Sequence, residues 1–196
     1  TSASAGYSVE ASGSDAQTAC DPGKYSAGAG AITCADCLAG SYQGESGKSG
    51  CSLADAGYFV GGAGALAQTL CPAGKFSGSG ASECEDCVAG RLTKIDGEAS
   101  CELASAGYFV GFAGSSVETQ CAAGDYSTAG ATQCEPCPAG EFTDAPGQSS
   151  CTSASAGYAV EASGSDAETA CDPGKYSAGA GATACVDCLA GSYQAE

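Results

Sequence analysis

The chain contains no histidine, methionine or tryptophan, and asparagine is missing too. Without histidine, the commonest general base and metal ligand at neutral pH is gone. Without asparagine there is no N-glycosylation acceptor in these residues. Serine and threonine are plentiful, so O-linked glycans are the modification the composition allows. Basic side chains are also scarce: 6 Lys and Arg stand against 23 Asp and Glu, for a net charge of −17. Nucleic acid and anionic membrane surfaces both need clustered positive charge, so neither is an expected partner. The acidity is spread thinly, which favours solubility through self-repulsion. No loop of the EF-hand kind is present, so the chain calls for no cofactor or metal, and any Ca2+ binding is expected to be weak and diffuse, between neighbouring chains. Large apolar side chains are few, with Ile, Leu, Val and Phe together numbering 21 of 196 residues. That is too little apolar surface to offset chain entropy in an ordinary domain. No signal-peptide pattern and no apolar run of membrane-spanning length appears, so no membrane insertion is expected within these residues.

What the chain has instead is 15 cysteines and 31 glycines. Crosslinks remove entropy from the unfolded chain, so a thin core can suffice. Disulfide-dense, core-poor chains belong to oxidising compartments, which places this one outside the cell or on its surface. Zinc is a poor alternative, because a structural site wants four Cys or His ligands and each repeat here offers one CxxC and two distant cysteines.

The cysteines set a period. Cys20, Cys71, Cys121 and Cys171 are 51, 50 and 50 residues apart, and Cys51, Cys101 and Cys151 are each 50 apart. The expected domains are repeat units 1–51, 52–101, 102–151 and 152–196. A longer block overlies them: Thr1–Gln43 matches Thr152–Gln194 at 38 of 43 positions, offset by 151. The fourth unit thus restarts a block of three. Its Cys188 is expected to pair with a Cys beyond Glu196, and Thr1 to follow a Cys that is absent here, as in a window cut from a longer repetitive chain.

Each unit divides into three glycine-aromatic segments of about 17 residues. Two begin with C-x-x-G-x-aromatic and end on Cys, as in CDPGKYSAGAGAITC and CLAGSYQGESGKSGC; Leu92 alone replaces the aromatic. The third, for example LADAGYFVGGAGALAQTLC, has no opening Cys and is expected to dock through its Tyr and Val. Four cysteines allow three connectivities. Two loops of like sequence favour sequential pairing: Cys20–Cys34, Cys37–Cys51, Cys71–Cys84, Cys87–Cys101, Cys121–Cys134, Cys137–Cys151 and Cys171–Cys185. On that reading each CxxC is a hinge between two staples. Nothing around it resembles the βαβ setting of a redox CxxC. The glycine at the fourth loop position is read as a positive-φ turn residue. Turn formers dominate, strand signals are short and no amphipathic helix is visible. The expected fold is therefore small, disulfide-rich, mostly β and irregular: an elongated, solenoid-like tandem rod of short hairpins with little or no helix.

The stretches CPAGKFSGSGASECEDCVAG, CDPGKYSAGAGAITCADCLAG and CEPCPAGEFTDAPGQSSC resemble the cysteine-rich repeats of the ephrin-receptor-like type. They are similar as well to the first submodule of tumour necrosis factor receptor-type repeats. The resemblance runs unit by unit along the chain. It implies sequential pairing, an elongated rod, and the setting of receptors or long tandem surface proteins of protists and algae. A proline follows the first Cys of a loop only at Pro72 and Pro138, and no second submodule with crossed disulfides is found. Ligand binding is therefore not carried over.

No catalytic constellation is visible, because no Ser or Asp has an evident base and Gly47-Lys48-Ser49 lacks the rest of a phosphate loop. The chain is not expected to be an enzyme. Tyr7, Tyr58, Tyr108 and Tyr158 are read as core residues. Phe59 and Phe109, one position on, alternate to the opposite face, and with Phe112 are expected to form an exposed patch for contact between copies. The reading that follows is a structural subunit of an extracellular filament, surface appendage or wall. The alternative is the stalk or adhesive, ligand-binding ectodomain of a cell-surface protein.

Overall fold

A computed structural model describes residues 2–10, 14 and 16–189. Thr1 and Gln194, the outer limits of the block match, lie outside the described residues, as does the rest of the fourth unit beyond Leu189. The chain forms two compact units, Thr1–Cys87 with Thr93–Cys101, and Val88–Leu92 with Glu102–Glu196.

Among the described residues there is no helix, and every sheet is a two-stranded antiparallel hairpin with strands two residues long. The first unit holds five: Tyr7–Ser8 with Thr18–Ala19, Lys24–Tyr25 with Ala35–Asp36, Ser41–Tyr42 with Ser52–Leu53, Tyr58–Phe59 with Thr69–Leu70, and Lys75–Phe76 with Glu85–Asp86. The second holds six: Arg91–Leu92 with Glu102–Leu103, Tyr108–Phe109 with Thr119–Gln120, Asp125–Tyr126 with Glu135–Pro136, Glu141–Phe142 with Thr152–Ser153, Tyr158–Ala159 with Thr169–Ala170, and Lys175–Tyr176 with Val186–Asp187. The protein is thus a small disulfide-rich, mostly-β tandem repeat. Its structural step is the single hairpin, and three steps make one cysteine period.

A tight turn starts each hairpin. In Asp21-Pro22-Gly23-Lys24 the Lys24 N–H donates to the Asp21 carbonyl at 3.0 Å and Gly23 has φ +82°. Proline before a positive-φ glycine is the signature of a type II turn. The segments without an opening Cys turn the same way, with Tyr58 N–H donating to the Asp55 carbonyl at 3.0 Å and Gly57 at φ +86°.

Backbone hydrogen bonds stack one hairpin on the next within each unit. In the first, Gly23 N–H donates to Gln43 O (2.7 Å), Gly40 N–H to Val60 O (2.8 Å) and Gly57 N–H to Ser77 O (2.9 Å). In the second, Gly107 N–H donates to Ser127 O (2.8 Å) and Gly140 N–H to Val160 O (2.8 Å). A second series ties each loop tip back to the preceding hairpin, as in Gly64 N–H to Cys37 O and Gly147 N–H to Cys121 O. Backbones come close enough here that a Cβ on Gly57 would overlap the Gly97 carbonyl oxygen. The stack therefore needs glycine at position 57 for clearance as well as for φ.

The core is thin, made of buried Cys, Ala and Val with Ser and Thr hydroxyls among them. The residue three after each turn glycine is buried in most hairpins, and it is Val60, Val110 or Val160 in the segments without an opening Cys. In the others it is Ser26, Ser77, Ser127, Ser177, Thr93 or Thr143. These hydroxyls join neighbouring hairpins. Ser26 Oγ accepts from Gly6 N–H (2.9 Å) and donates to Tyr7 O (3.0 Å), and Ser77 Oγ donates to Tyr58 O (2.7 Å). Thr143 Oγ1 accepts from Gly124 N–H (2.8 Å). Among the described residues no buried side-chain nitrogen or oxygen lacks a partner. The tyrosines expected in the core lie at its margin instead. Tyr7, Tyr58 and Tyr108 are half-buried and Tyr158 is 39% exposed. A step of about 17 residues fills the stacking axis mainly with Ala, Cys, Val, Ser and Thr. In the second unit Leu92, Ala104 and Val110 form the one apolar cluster among the described residues.

Candidate functional site

Seven disulfides close the loops: Cys20–Cys34, Cys37–Cys51, Cys71–Cys84, Cys87–Cys101, Cys121–Cys134, Cys137–Cys151 and Cys171–Cys185. Their Cα–Cα distances are 5.6 to 5.8 Å, inside the ordinary range for a disulfide. The opening cysteine is buried in six of the seven, as at Cys37, Cys71 and Cys87, and Cys171 is half-buried. In each CxxC the first Cys closes one hairpin, the second opens the next, and the two residues between are the return strand, as Ala35–Asp36 shows. Cys188 is the one free cysteine among the described residues.

The hairpins without an opening Cys are closed by a different device. Ala3, Ala54, Ala104 and Ala154 occupy the place of that Cys and are buried. Fourteen residues on, where the closing Cys would stand, are Gln17, Gln68, Glu118 and Glu168. Each side chain reaches back to a backbone N–H: Gln17 Oε1 accepts from Ser4 (2.8 Å), Gln68 Oε1 from Asp55 (2.6 Å), Glu118 Oε2 from Ser105 (2.8 Å) and Glu168 Oε2 from Ser155 (2.6 Å). Gln68 Nε2 also donates to Asp55 Oδ2 at 2.7 Å. A charge-assisted or amide clasp thus stands in for a covalent one. Aligning the chain at 17-residue steps rather than 50 would have exposed these Ala-x13-Gln/Glu pairs.

Charged groups also follow the hairpin register. Lys24, Lys75 and Lys175 stand directly across from Asp36, Asp86 and Asp187 and pair with them at 2.6, 2.5 and 3.1 Å. The carboxylate of Asp36 raises the Lys24 ammonium above its ordinary pKa, first through the hydrogen bond and then through charge. All are solvent-accessible, so they align strands more than they stabilise them. No group of three or more Cys, Asp or Glu among the described residues is arranged to hold a metal ion.

The concave surfaces recur with the block. A groove of about 310 Å³ in the first unit is lined by Ser8, Glu10, Asp21 and Lys24. One of about 480 Å³ in the second unit is lined by Ala159, Glu161, Asp172 and Lys175, which stand 151 residues on. The equivalent hairpins of the middle repeats carry Phe59 and Phe109 in place of Ser8 and Ala159. These rings depart from the expected exposed patch, being half-buried. Each lies across the glycine two positions on, 3.7 Å from where a Cβ on Gly61 or Gly111 would stand. Phe112 is 82% exposed.

Repeated disulfide hairpins with two-residue strands define a class: a cysteine-rich, ectodomain-type module. Residues 124–171 match the family described as tyrosine-protein kinase ephrin type A/B receptor-like. The matched stretch and the seven tandem disulfides fit a cysteine-rich repeat similar to the ephrin-receptor-like type, which points to the extracellular space or the cell surface. No curated protein matches the chain. No helix among the described residues is long and apolar enough to cross a membrane.

Proposed function

We propose that the chain is a structural element of an extracellular filament, surface appendage or wall, without enzymatic activity, and that its partners are copies of itself. The observation that carries this reading is repetition without divergence. Thr1–Gln43 and Thr152–Gln194 are the same at 38 of 43 positions, while within each unit the hairpins are bonded to their neighbours by the same backbone groups. A binding module varies its surface where it meets a ligand. Here the turns, the buried hydroxyls and the closures are copied, which serves length and durability. The seven disulfides hold the unfolded chain compact and resist heat and proteolysis. The missing methionine and tryptophan remove oxidation targets, consistent with long exposure outside the cell.

The match of residues 124–171 supports a second reading, the stalk or adhesive ectodomain of a surface protein. Electron microscopy of the native material separates the two. Filaments with an axial repeat commensurate with the 151-residue block are expected. Isolated single chains tethered at one end would overturn the structural reading in favour of the stalk.

A further inference from the structure

All six basic side chains lie inside disulfide-closed loops. Lys24 stands between Cys20 and Cys34, Lys48 between Cys37 and Cys51, Lys75 between Cys71 and Cys84, Arg91 and Lys94 between Cys87 and Cys101, and Lys175 between Cys171 and Cys185. The seven loops together hold less than half of the chain, so this placement is selective. Hydrolysis after Lys or Arg leaves two ends joined by a disulfide. It nicks the chain without dividing it. The hairpins without an opening Cys have no such bridge. Cys101 is bonded to Cys87 and Cys121 to Cys134, so one cut between Cys101 and Cys121 divides the molecule.

Endopeptidases with a hydrophobic specificity pocket grip a large apolar side chain, and exposed loop tips are where folded chains are nicked. The tyrosines of the unbridged hairpins offer little. Tyr7, Tyr58, Tyr108 and Tyr158 sit on strands, and the carbonyl of each accepts from the next hairpin's hydroxyl, Ser26, Ser77, Ser127 or Ser177. Phe59 and Phe109 are on strands too, and half-buried. Phe112 differs on each count. It lies in the loop between strands Tyr108–Phe109 and Thr119–Gln120, its ring is 82% exposed, and its carbonyl accepts from Ser115 Oγ of the same loop at 2.8 Å. That loop is closed by the Glu118 clasp on Ser105 and not by a covalent bond. The equivalent positions in the other repeats are Ala11, Gly62 and Ala162. Leu66, in the corresponding loop of the first unit, is 56% exposed and carries no ring.

We infer that Phe112–Ala113 is the bond at which an endopeptidase with an aromatic-binding pocket divides this chain, and that enzymes directed to Lys or Arg cannot divide it. Water adds across the peptide bond, giving a Phe112 carboxylate and an Ala113 amino group, with no redox step. The site stands whether the chain builds a filament or a stalk, and it gives either a point of release or turnover.

The test uses the whole disulfide-bonded chain with Cys188 alkylated, under limited digestion, with gels run with and without reductant. Chymotrypsin should produce two fragments without reductant, the second beginning at Ala113. Trypsin should leave a single band without reductant and fragments only after reduction. Phe112→Ser should slow division by chymotrypsin about tenfold or more, with its trypsin pattern unchanged. Ala104→Cys with Glu118→Cys should add the missing bridge, so that the same cut leaves the fragments joined until reduction. A first dividing cut at Leu66 or any other bond, a chain that chymotrypsin leaves whole, a Phe112→Ser chain divided as fast as the parent, or fragments that separate after trypsin without reductant would each overturn the assignment. So would fragments that part without reductant in the bridged variant once peptide mapping has confirmed its new bond.

Discussion

The hairpin opened by Cys71 and the one before it, opened by Ala54, differ in chemistry and agree in shape. Cys71 is bonded to Cys84, while Ala54 has no covalent partner and the Gln68 side chain holds the Asp55 N–H instead. Both turn through a positive-φ glycine, Gly74 and Gly57, and both donate that glycine's N–H to the following hairpin, at 3.0 Å to Thr93 O and 2.9 Å to Ser77 O. The stacking bonds define the hairpin, and the closure only reduces the entropy of the chain that has to find it. A small buried residue at the start of the loop is the shared requirement, met by Cys71 and by Ala54 alike.

The comparison breaks most completely if every closure is made non-covalent. Each loop of about 14 residues contributes on the order of 3 kcal/mol through the unfolded state, and seven of them outweigh the roughly 5–15 kcal/mol net stability of a typical domain. Reduction followed by alkylation is expected to unfold the chain, seen as collapse of amide dispersion in NMR spectra. Retained dispersion would mean that the stacking bonds suffice alone.

The reverse exchange should strengthen the molecule. Ala54→Cys with Gln68→Cys places two thiols at the same separation of 14 as Cys37 and Cys51. An eighth disulfide is expected, raising stability by up to about 3 kcal/mol. Peptide mapping without reductant reports the bond and a thermal melt its effect, and a pair that stays reduced would show that the two hairpins differ in more than closure.

Glycine substitutions test the shared part. Gly57→Ala meets both a left-handed φ and the Gly97 carbonyl, for a loss of about 2–4 kcal/mol. Gly62→Ala, with nothing within 4 Å, is expected to change stability by no more than about 0.5 kcal/mol. Equal effects in chemical denaturation would remove the stacking role of Gly57. Ser77→Ala takes away the hydroxyl bonded to Tyr58 O and should cost about 1 kcal/mol, more if the carbonyl is left without a partner.

The smallest effect is electrostatic. The hydrogen bond and charge of Lys48 hold the Glu45 carboxyl below its ordinary pKa. Its contribution is therefore present above the unfolded-state pKa and disappears as pH falls through the lower folded-state value. Both groups are exposed, so the signature is a depressed NMR titration midpoint for Glu45 with little change in melting temperature. A midpoint at or above the ordinary carboxylate value would remove the pair.

Much of this fold is written locally. C-x-x-G-x-aromatic is a turn and a strand entry because glycine alone takes positive φ without strain, and the scarcity of large aliphatics calls for crosslinked hairpins in place of an ordinary core. The third segment was legible only in part. Val60, Val110 and Val160 read correctly as docking residues, but Tyr58 and Tyr108 sit at the margin, because the room on the stacking axis is set by the neighbouring backbone. Nor did Phe59 and Phe109 behave as strand alternation implies. A two-residue strand has no second face wide enough to expose a ring, and each folds back over its glycine.

The sequence by itself determined the repeat and the hairpin class, since both follow from which residue types are present and how they are spaced. Only the tertiary structure decided that the repeating step is one hairpin, that glutamine and glutamate replace disulfides at every third closure, and that serine and threonine hydroxyls are buried between hairpins. The reason is physical. Local sequence fixes turns through φ preferences over a few residues, whereas these features depend on which backbone group lies opposite after the hairpins have stacked, and that is settled by contacts between segments about 17 residues apart or more.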